Sequence, residues 1–461
     1  MSAVPVAASP ALMGRWRPYP EYRAVGIDWL GEVPAHWDVK RLRFFAAINP
    51  NMERPSSGSQ IEVSFLPMEK ISEDGRLCLD ETRRFENVVQ GYTHFRNGDV
   101  IVAKITPCFE NGKGALCEGL LNGLGFGTTE LHVLRAGEDL DPMFAFYLTR
   151  SRPFRALGAA AMYGAAGQQR VPEEFLKDFP TTVPGLTEQR IISVFLDRET
   201  AKIDALIAKR QQLISLLEEK RAALISHVVT KGLDPSVPMK NSGIEWLGKI
   251  PAHWGLKRLK FLSSLQTGVT LGKDYEGCET VSRPYLRVAN VQDGYLDLDE
   301  ITEITIPLTE AQRYELRKGD VLMTEGGDFD KLGRGYVWDG QIDGCLHQNH
   351  IFAVRPTSNV LDSQYLSFLM TSAYGKAYFT STSQQTTNLA CTNSTKIKGF
   401  LLPVPPYAEQ ELLLRYVRTE TSKLETLVGR VSEGIEQLHE FRMALISAAV
   451  TGKIDVRGEV Q

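Results

Sequence analysis

The chain has 461 residues, 43% hydrophobic and 23% charged, with 52 basic against 56 acidic side chains. That length exceeds one ordinary core and predicts roughly three domain-sized units, and no run of about eighteen apolar residues predicts a membrane span. A net charge of −4 excludes a chain that grips nucleic acid by bulk basicity, so any such role rests on local chemistry or on partners that supply phosphate contacts.

The first stretch, residues 1–22, is rich in Ala and Pro and lacks an apolar core of signal-peptide length. It reads as a flexible leader on a cytoplasmic protein. Cys78, Cys108, Cys117, Cys278, Cys345 and Cys391 form no Cys-x-x-Cys pair, which favours reduced thiols over disulfides or a zinc site.

Next comes a sentence that the chain repeats. From Gly26 to Phe44, thirteen of nineteen positions recur at a constant offset of 217, from Gly243 to Phe261. Trp29-Leu30-Gly31 and Pro34-Ala35-His36-Trp37 return as Trp246-Leu247-Gly248 and Pro251-Ala252-His253-Trp254. At an offset of 221, Gly98-Asp99-Val100 returns as Gly319-Asp320-Val321, and Gly112-Lys113-Gly114 as Gly333-Arg334-Gly335. Asp141 matches Asp362, Val183-Pro184 matches Val404-Pro405, and Glu188-Gln189 matches Glu409-Gln410. Ala223-Leu224-Ile225-Ser226 returns as Ala444-Leu445-Ile446-Ser447. The chain is a tandem duplication, and the architecture follows from that before any local motif is read.

Each copy has two textures. β-branched runs such as Ile61–Leu66, Val100–Ala103 and Leu131–Leu134 alternate with turn residues and predict strands, with short helical patterns between them. A long stretch free of Gly and Pro then runs from Glu188 to Thr230. The expected organisation is a leader 1–22, a globule 23–185, a long helix 186–234, a second globule 240–405, a second long helix 406–455 and a tail 456–461. The fold class is α+β: a pseudo-twofold tandem repeat of two globules separated by two long antiparallel paired helices, in the manner of a coiled coil. Leu196, Ile203, Leu217 and Leu224 fall on one heptad position of the first helix, with Leu206 and Leu213 on its partner position. The second helix places Val417, Leu424, Val431, Leu438 and Leu445 on the equivalent seam, with Leu427 beside them. Gly429 and Gly434 weaken that helix by roughly 1 kcal/mol each relative to Ala.

No catalytic constellation is visible. An adenine methyltransferase needs Asn or Asp before Pro-Pro-Tyr, and the nearest string is Val404-Pro405-Pro406-Tyr407, whose valine accepts no hydrogen bond. Gly123 to Gly127 lacks the helix that a nucleotide-type cradle requires, and Gly268 to Asp274 lacks phosphate-loop spacing. His347 and His350 have no third ligand placed by spacing, so no metal is expected. Trp29, Leu30, Trp37 and their counterparts read as packing residues. His36 and His253 have no catalytic partner nearby in sequence, and Lys40-Arg41 and Lys257-Arg258 read as solvated strand starts.

The leading Trp-Leu-Gly-x-[Val/Ile]-Pro-Ala-His-Trp, the internal Gly-Asp-Val and the Val-Pro…Glu-Gln start of a long helix together resemble the specificity subunits of type I restriction–modification systems. The resemblance runs from about Tyr22 to Asp455 and includes the order of the parts. It implies that each globule is a target-recognition domain reading one half of a split double-stranded DNA sequence. It implies too that the helices set the spacing and dock two modification methyltransferase subunits, and that restriction (motor–nuclease) subunits join for cleavage. This chain would bind no cofactor; S-adenosylmethionine, ATP and magnesium would belong to the partner subunits.

Base reading uses Arg or Lys towards guanine, Asn or Gln towards adenine, and adaptable Ser or Thr. Candidate DNA-binding residues in the first copy are Lys104, Thr106, Asn111 and Lys113 on the loop after the Val100 strand. Thr128 and Thr129 at a strand start, and the tract Gln168, Gln169 and Arg170, complete the set. The second copy offers Thr324, Lys331 and Arg334, then Gln348 and Asn349, then Gln384, Gln385 and Asn388, and the two glycines that flank Lys113 and its counterpart Arg334 suit a backbone passing close to phosphate. The plainer readings are a solvated hairpin tip, a satisfied strand edge and a mobile polar loop. Landmarks that build the fold repeat whereas the candidate readers differ, so two different half-sites and an asymmetric target are expected. The rival from another class is a coiled-coil scaffold with two ligand-binding domains and no DNA role.

Overall fold

A computed structural model describes residues 15–52, 61–165, 167–272, 275–327, 333–385 and 390–459. It divides into two compact units, residues 1–210 with 433–461 and residues 211–432. Each unit therefore holds one globule, the N-terminal part of the long helix that follows it, and the C-terminal part of the other long helix.

The first unit is built on an antiparallel sheet in the spatial order Ala46–Ile48, Leu131–Ala136, Asp99–Ala103, Gly114–Leu116. Every residue of Asp99–Ala103 is buried, because this central strand is covered on both faces. Period-two alternation sends Val100 and Val102 to one apolar cluster and Ile101 and Ala103 to another. A second sheet, Thr82–Arg84, Glu62–Leu66, Leu124–Gly127, Thr93–Arg96, contains one parallel pair, Glu62–Leu66 with Leu124–Gly127.

The second unit repeats the first sheet with Ser263–Thr267, Ile351–Pro356, Val321–Thr324 and Gly335–Val337. Its second sheet is three-stranded, Thr302–Pro307, Thr280–Leu286, Leu346–His347, and again has a parallel pair. The chain is α+β. Each globule is closed by a ladder between its beginning and its end: Asp38–Arg41 with Pro180–Val183, and Gly255–Arg258 with Leu401–Val404.

The repeated landmarks turn out to be joints. Gly98 and Gly319 sit at φ +88° and +91°, where a side chain is strained, and so turn the chain into the central strand. The carboxylates that follow are almost fully buried. Asp99 accepts two 2.8 Å bonds from Arg135 and one from the Arg96 amide. Asp320 accepts two 2.6 Å bonds from Arg355 and one from the Arg317 amide. A buried carboxylate is tolerated here because a forked guanidinium and a backbone N–H satisfy it.

Glu188 holds the opening sentence in place. Its carboxylate lies 2.9 Å from His36 Nε2 and accepts from Trp37 Nε1 at 3.3 Å. In the second unit Glu409 repeats this with His253 at 2.8 Å and Trp254 at 3.0 Å. The neighbouring Gln189 accepts from the Asp141 amide and donates to the carbonyls of Asp139 and Pro184. Gln410 does the same with Asp362, Val360 and Pro405. Asp141 and Asp362 in turn cap the helices Pro142–Arg150 and Ser363–Thr371.

The long helices run Leu186–Lys231 and Tyr407–Val450. In the first unit Arg442 pairs with Asp204 at 3.0 Å, and a Cβ on Gly434 would strike the Arg210 side chain, so the segments run antiparallel. Gly434 thus makes room for Arg210 to cross. In the second unit Arg221 pairs with Glu425 at 3.0 Å. The serines of Ala-Leu-Ile-Ser cap the short helices of the globules: Ser447 Oγ accepts from the Arg152 amide, and Ser226 Oγ from the Ala373 amide. The helices end at Gly232 and Gly452, both at positive φ. Lys231 Nζ then donates to the carbonyls of Leu247 and Lys249, and Lys453 Nζ to those of Leu30 and Glu32.

Three expectations are corrected. Residues 15–22 are not a loose leader: Trp16 and Tyr19 are 4% and 3% exposed, packed on Phe195 and Trp37. The Asp455 amide bonds to the Arg17 carbonyl, so this segment is tied to the chain that follows the second helix. Residues 1–14 of the expected leader lie outside the described residues. Second, Leu206, Leu213 and Leu427 do not pair helices, being 42%, 44% and 45% exposed. The expected Ile203 is buried, joined by Ile207 in place of Leu206, and the expected Leu438 packs against the same cluster with Ile435 and Phe441. Third, the glycines around Lys113 and Arg334 admit another strand rather than a phosphate. A Cβ on Gly114 would meet the Ile101 carbonyl, and one on Gly335 the Leu322 carbonyl.

Candidate nucleic-acid interface

Three stretches far apart in the first copy meet where the two inner strands of its central sheet adjoin, beyond Ala103 and before Leu131. Past Ala103 the strand continues irregularly, and the Lys104 amide donates to the Glu130 carbonyl at 2.9 Å. On its other side the Lys104 carbonyl accepts from the Val171 amide at 2.8 Å. Thr106 donates its amide to the Gln169 carbonyl at 3.0 Å, with its hydroxyl 3.2 Å from the same oxygen. Antiparallel bridges join Ile105 to Arg170 and Arg170 to Tyr163. Thr128 Oγ1 accepts from the Glu130 amide and turns the second stretch. Lys104, Thr106, Thr128, Gln169 and Arg170 are thereby gathered, with Thr129 and Gln168 exposed beside them.

Side chains lock the patch. Arg170 donates from Nε and Nη2 to the two oxygens of Glu130, at 2.9 and 2.7 Å. This hydrogen-bonded guanidinium holds the Glu130 carboxyl below its usual range. Tyr163, 65% exposed, stands on the bridge next to Arg170.

The second copy builds the same patch with different chemistry. The Glu325 amide donates to the His350 carbonyl at 2.8 Å, and the Glu325 carbonyl accepts from the Thr392 amide at 2.8 Å. Gly326–Gly327, Ala390–Cys391 and Gln384–Gln385 form a three-stranded sheet where the first copy has two bridges. Position 325 corresponds to 104, and 350 to 130. The basic and acidic side chains exchange places: Lys104 stands near the Glu130 carboxylate, whereas the Glu325 carboxylate bonds to the His350 ring.

Several candidates are not brought to these patches. Lys113 Nζ donates to the Met68 carbonyl at 3.2 Å. Asn111 lines a cavity of about 170 Å³ with Arg150, Arg155 and Arg442, where burial pushes the Arg150 guanidinium down to about 10. Thr324 is 1% exposed and unavailable to a ligand. Gln348 is half-buried, its Oε1 accepting from the Val288 amide. Asn349 and Arg334 are half-buried, their backbones bonded to Val269 and Thr324. Lys331 and Asn388 lie outside the described residues.

Glu130, Glu325 and His350 lie within the candidate stretches, whereas Tyr163 is a member of the first patch that those stretches did not include. An aromatic followed by the glycine- and glutamine-rich tract Gly164–Gln169 was the available signal for Tyr163. Among the described residues no cluster of three or more metal-ligating side chains forms, and all six cysteines are free. Nor is any helix among them long and apolar enough to cross a membrane.

The comparisons bear on this architecture. The chain is 41% identical over 188 residues to the type I restriction enzyme EcoAI specificity subunit of Escherichia coli, covering 40% of this chain and 31% of that one. It is 24% identical over 337 residues to the EcoKI specificity subunit of Escherichia coli strain K12, covering 70% and 68% of the two chains. A solved chain from work on complex assembly and conformational transition of the type I R-M system shares the fold. Its TM-score is 0.62 at 20% identity, over 92% of this chain and 99% of that one. No family model matches the chain. The likeness to that solved chain is one of fold. The chain is thus similar to type I restriction enzyme specificity subunits, and it spans about a third of the length of the curated relatives that it matches at 41% identity.

Proposed function

We propose that this chain is the DNA sequence-specificity subunit of a type I restriction–modification complex, reading a bipartite, asymmetric target. The observation that carries this reading is the pair of patches. In each globule three separated stretches converge on one patch, on a skeleton whose joints repeat, while the side chains at that patch differ. A shared skeleton with divergent polar patches is what two readers of different half-sites require. Residues 23–185 and 240–405 act as the target-recognition domains, and the helices 186–234 and 406–455 set the spacer between the half-sites.

The chain contributes recognition and no catalysis. Two methyltransferase subunits supply S-adenosylmethionine-dependent methylation, and restriction subunits supply magnesium- and ATP-dependent cleavage. With a net charge of −4, the isolated chain binds duplex weakly, and its partners supply most phosphate contacts. Gel shifts of the chain with and without its methyltransferase subunits test this. A sequence-dependent complex that tightens steeply as salt falls, and only when both are present, supports the reading. Failure to protect any duplex in the assembled complex leaves a scaffold with no DNA role.

A further inference from the structure

We infer that Arg170, oriented by Glu130, reads a guanine in the half-site recognised by the first globule. The inference deepens the proposed function and rests on it. A guanidinium has five N–H donors in a rigid planar fork. Glu130 takes the Nε donor and one Nη2 donor, and the Gln168 carbonyl takes one Nη1 donor at 3.3 Å. One N–H on each terminal nitrogen remains. With its Nε side filled by a carboxylate, the fork can offer only its terminal Nη1–Nη2 edge to a ligand. That two-donor edge matches the paired O6 and N7 acceptors of guanine in the major groove.

The backbone supports the same geometry. Arg170 is bridged on one side to Ile105 and on the other to Tyr163, so both the stem and the tip of the side chain are anchored. Its side chain keeps 38% exposure, and its Nη1 bond to the Gln168 carbonyl is exposed whereas the two bonds to Glu130 are partly buried. A guanidinium immobilised beforehand loses less rotamer freedom on binding than a free surface arginine. Glu130 is a positioning residue in this scheme, since it acts on DNA through Arg170. The second globule has Cys391 at the position of Arg170 and a Glu325–His350 pair in its patch, so it cannot make this contact. Guanine reading by a clamped arginine is confined to one half of the target.

The test is the methylation motif written on genomic DNA by the assembled complex of this chain and its methyltransferase subunits. The wild type is expected to specify a G·C pair at one position of the first half-site. Arg170→Ala and Arg170→Lys both relax that position, lowering discrimination on the order of 10- to 100-fold, with the other positions and the second half-site unchanged. Glu130→Gln, which keeps the shape and removes the charge, weakens the same position and no other. Rescue by Arg170→Lys overturns the inference in favour of a phosphate contact, because lysine keeps the charge without the fork. Equal loss at all positions, or no change at any, overturns it in favour of a structural staple. A wild-type complex that writes no sequence-specific motif removes the DNA-reading function itself, which is a separate failure.

Discussion

Replacing Glu188 by alanine removes the acceptor that holds the opening repeat against the first long helix. Trp37 is 1% exposed, and its indole N–H has Glu188 as its hydrogen-bond partner at 3.3 Å. A buried donor left without an acceptor costs about 1–3 kcal/mol. The His36 contact adds at most about 1 kcal/mol, since that ring is 47% exposed and screened by solvent. The expected loss is therefore about 1–4 kcal/mol in the unit that contains it, a shift on the order of 1 M in a urea midpoint. Urea unfolding followed by tryptophan fluorescence, with hydrogen exchange to assign the loss to residues 1–210 and 433–461, measures it. Glu188→Gln keeps an acceptor and should recover more than half of the loss. Glu409→Ala should reproduce the effect in the other unit, where Trp254 and His253 take the same places. A Glu188→Ala loss below about 0.5 kcal/mol, or a Gln variant no better than Ala, refutes the assignment of the Glu as the clamp.

Further outcomes follow from the helices and the cores. Ile207→Ala should cost about 2–4 kcal/mol and Leu206→Ala less than about 1, because the former is 6% exposed and the latter 42%; equal losses would contradict the seam. Burial pushes the His347 imidazole down to about 4 from an ordinary 6.5. The unfolded chain takes up this proton as pH falls below 6.5 while the folded unit refuses it until about 4. The stability from the neutral ring is full above that window and lost across it, by about 3 kcal/mol; His347→Leu should flatten the loss in denaturant titrations, and an unchanged profile would contradict the origin given. Inserting about four residues between Lys202 and Glu219 lengthens the helix by roughly 6 Å, which should add one or two base pairs to the spacer at about 3.4 Å each. A methylation motif with an unchanged spacer would show that the helices are not the ruler.

The duplication was legible because residues that build joints are held to the same chemistry in both copies. Gly98-Asp99 and Gly319-Asp320 must each make a left-handed turn and a buried carboxylate, so both pairs stand out in the sequence. What each joint grips was not legible. His36 meets a partner 152 residues away, and sequence spacing carries no trace of it. The helix register failed for a different reason. Burial at Ile203 continues four residues on at Ile207 rather than three residues on at Leu206, the spacing of a broad helix face rather than a narrow heptad seam.

The candidate patch was legible in part. Polar loops could be recognised stretch by stretch, but their meeting depends on bridges such as Ile105 to Arg170, which join residues 65 apart. The fold separated true neighbours from incidental ones: Thr106 reaches Gln169, whereas Lys113, on the same loop, is spent on the Met68 carbonyl. Trp16 and Tyr19 show the opposite error. Their aromatic bulk argued for burial more strongly than the Ala- and Pro-rich context argued for a loose arm.

The central claim is that each globule reads its own half of one target. Residues 45–180 can be replaced by the corresponding domain of a type I restriction enzyme specificity subunit and the assembled complex used to methylate genomic DNA. Sequencing of the modified genome should show a new first half-site, with the second half-site and the spacer retained. A motif altered in both halves, or in neither, would contradict the account.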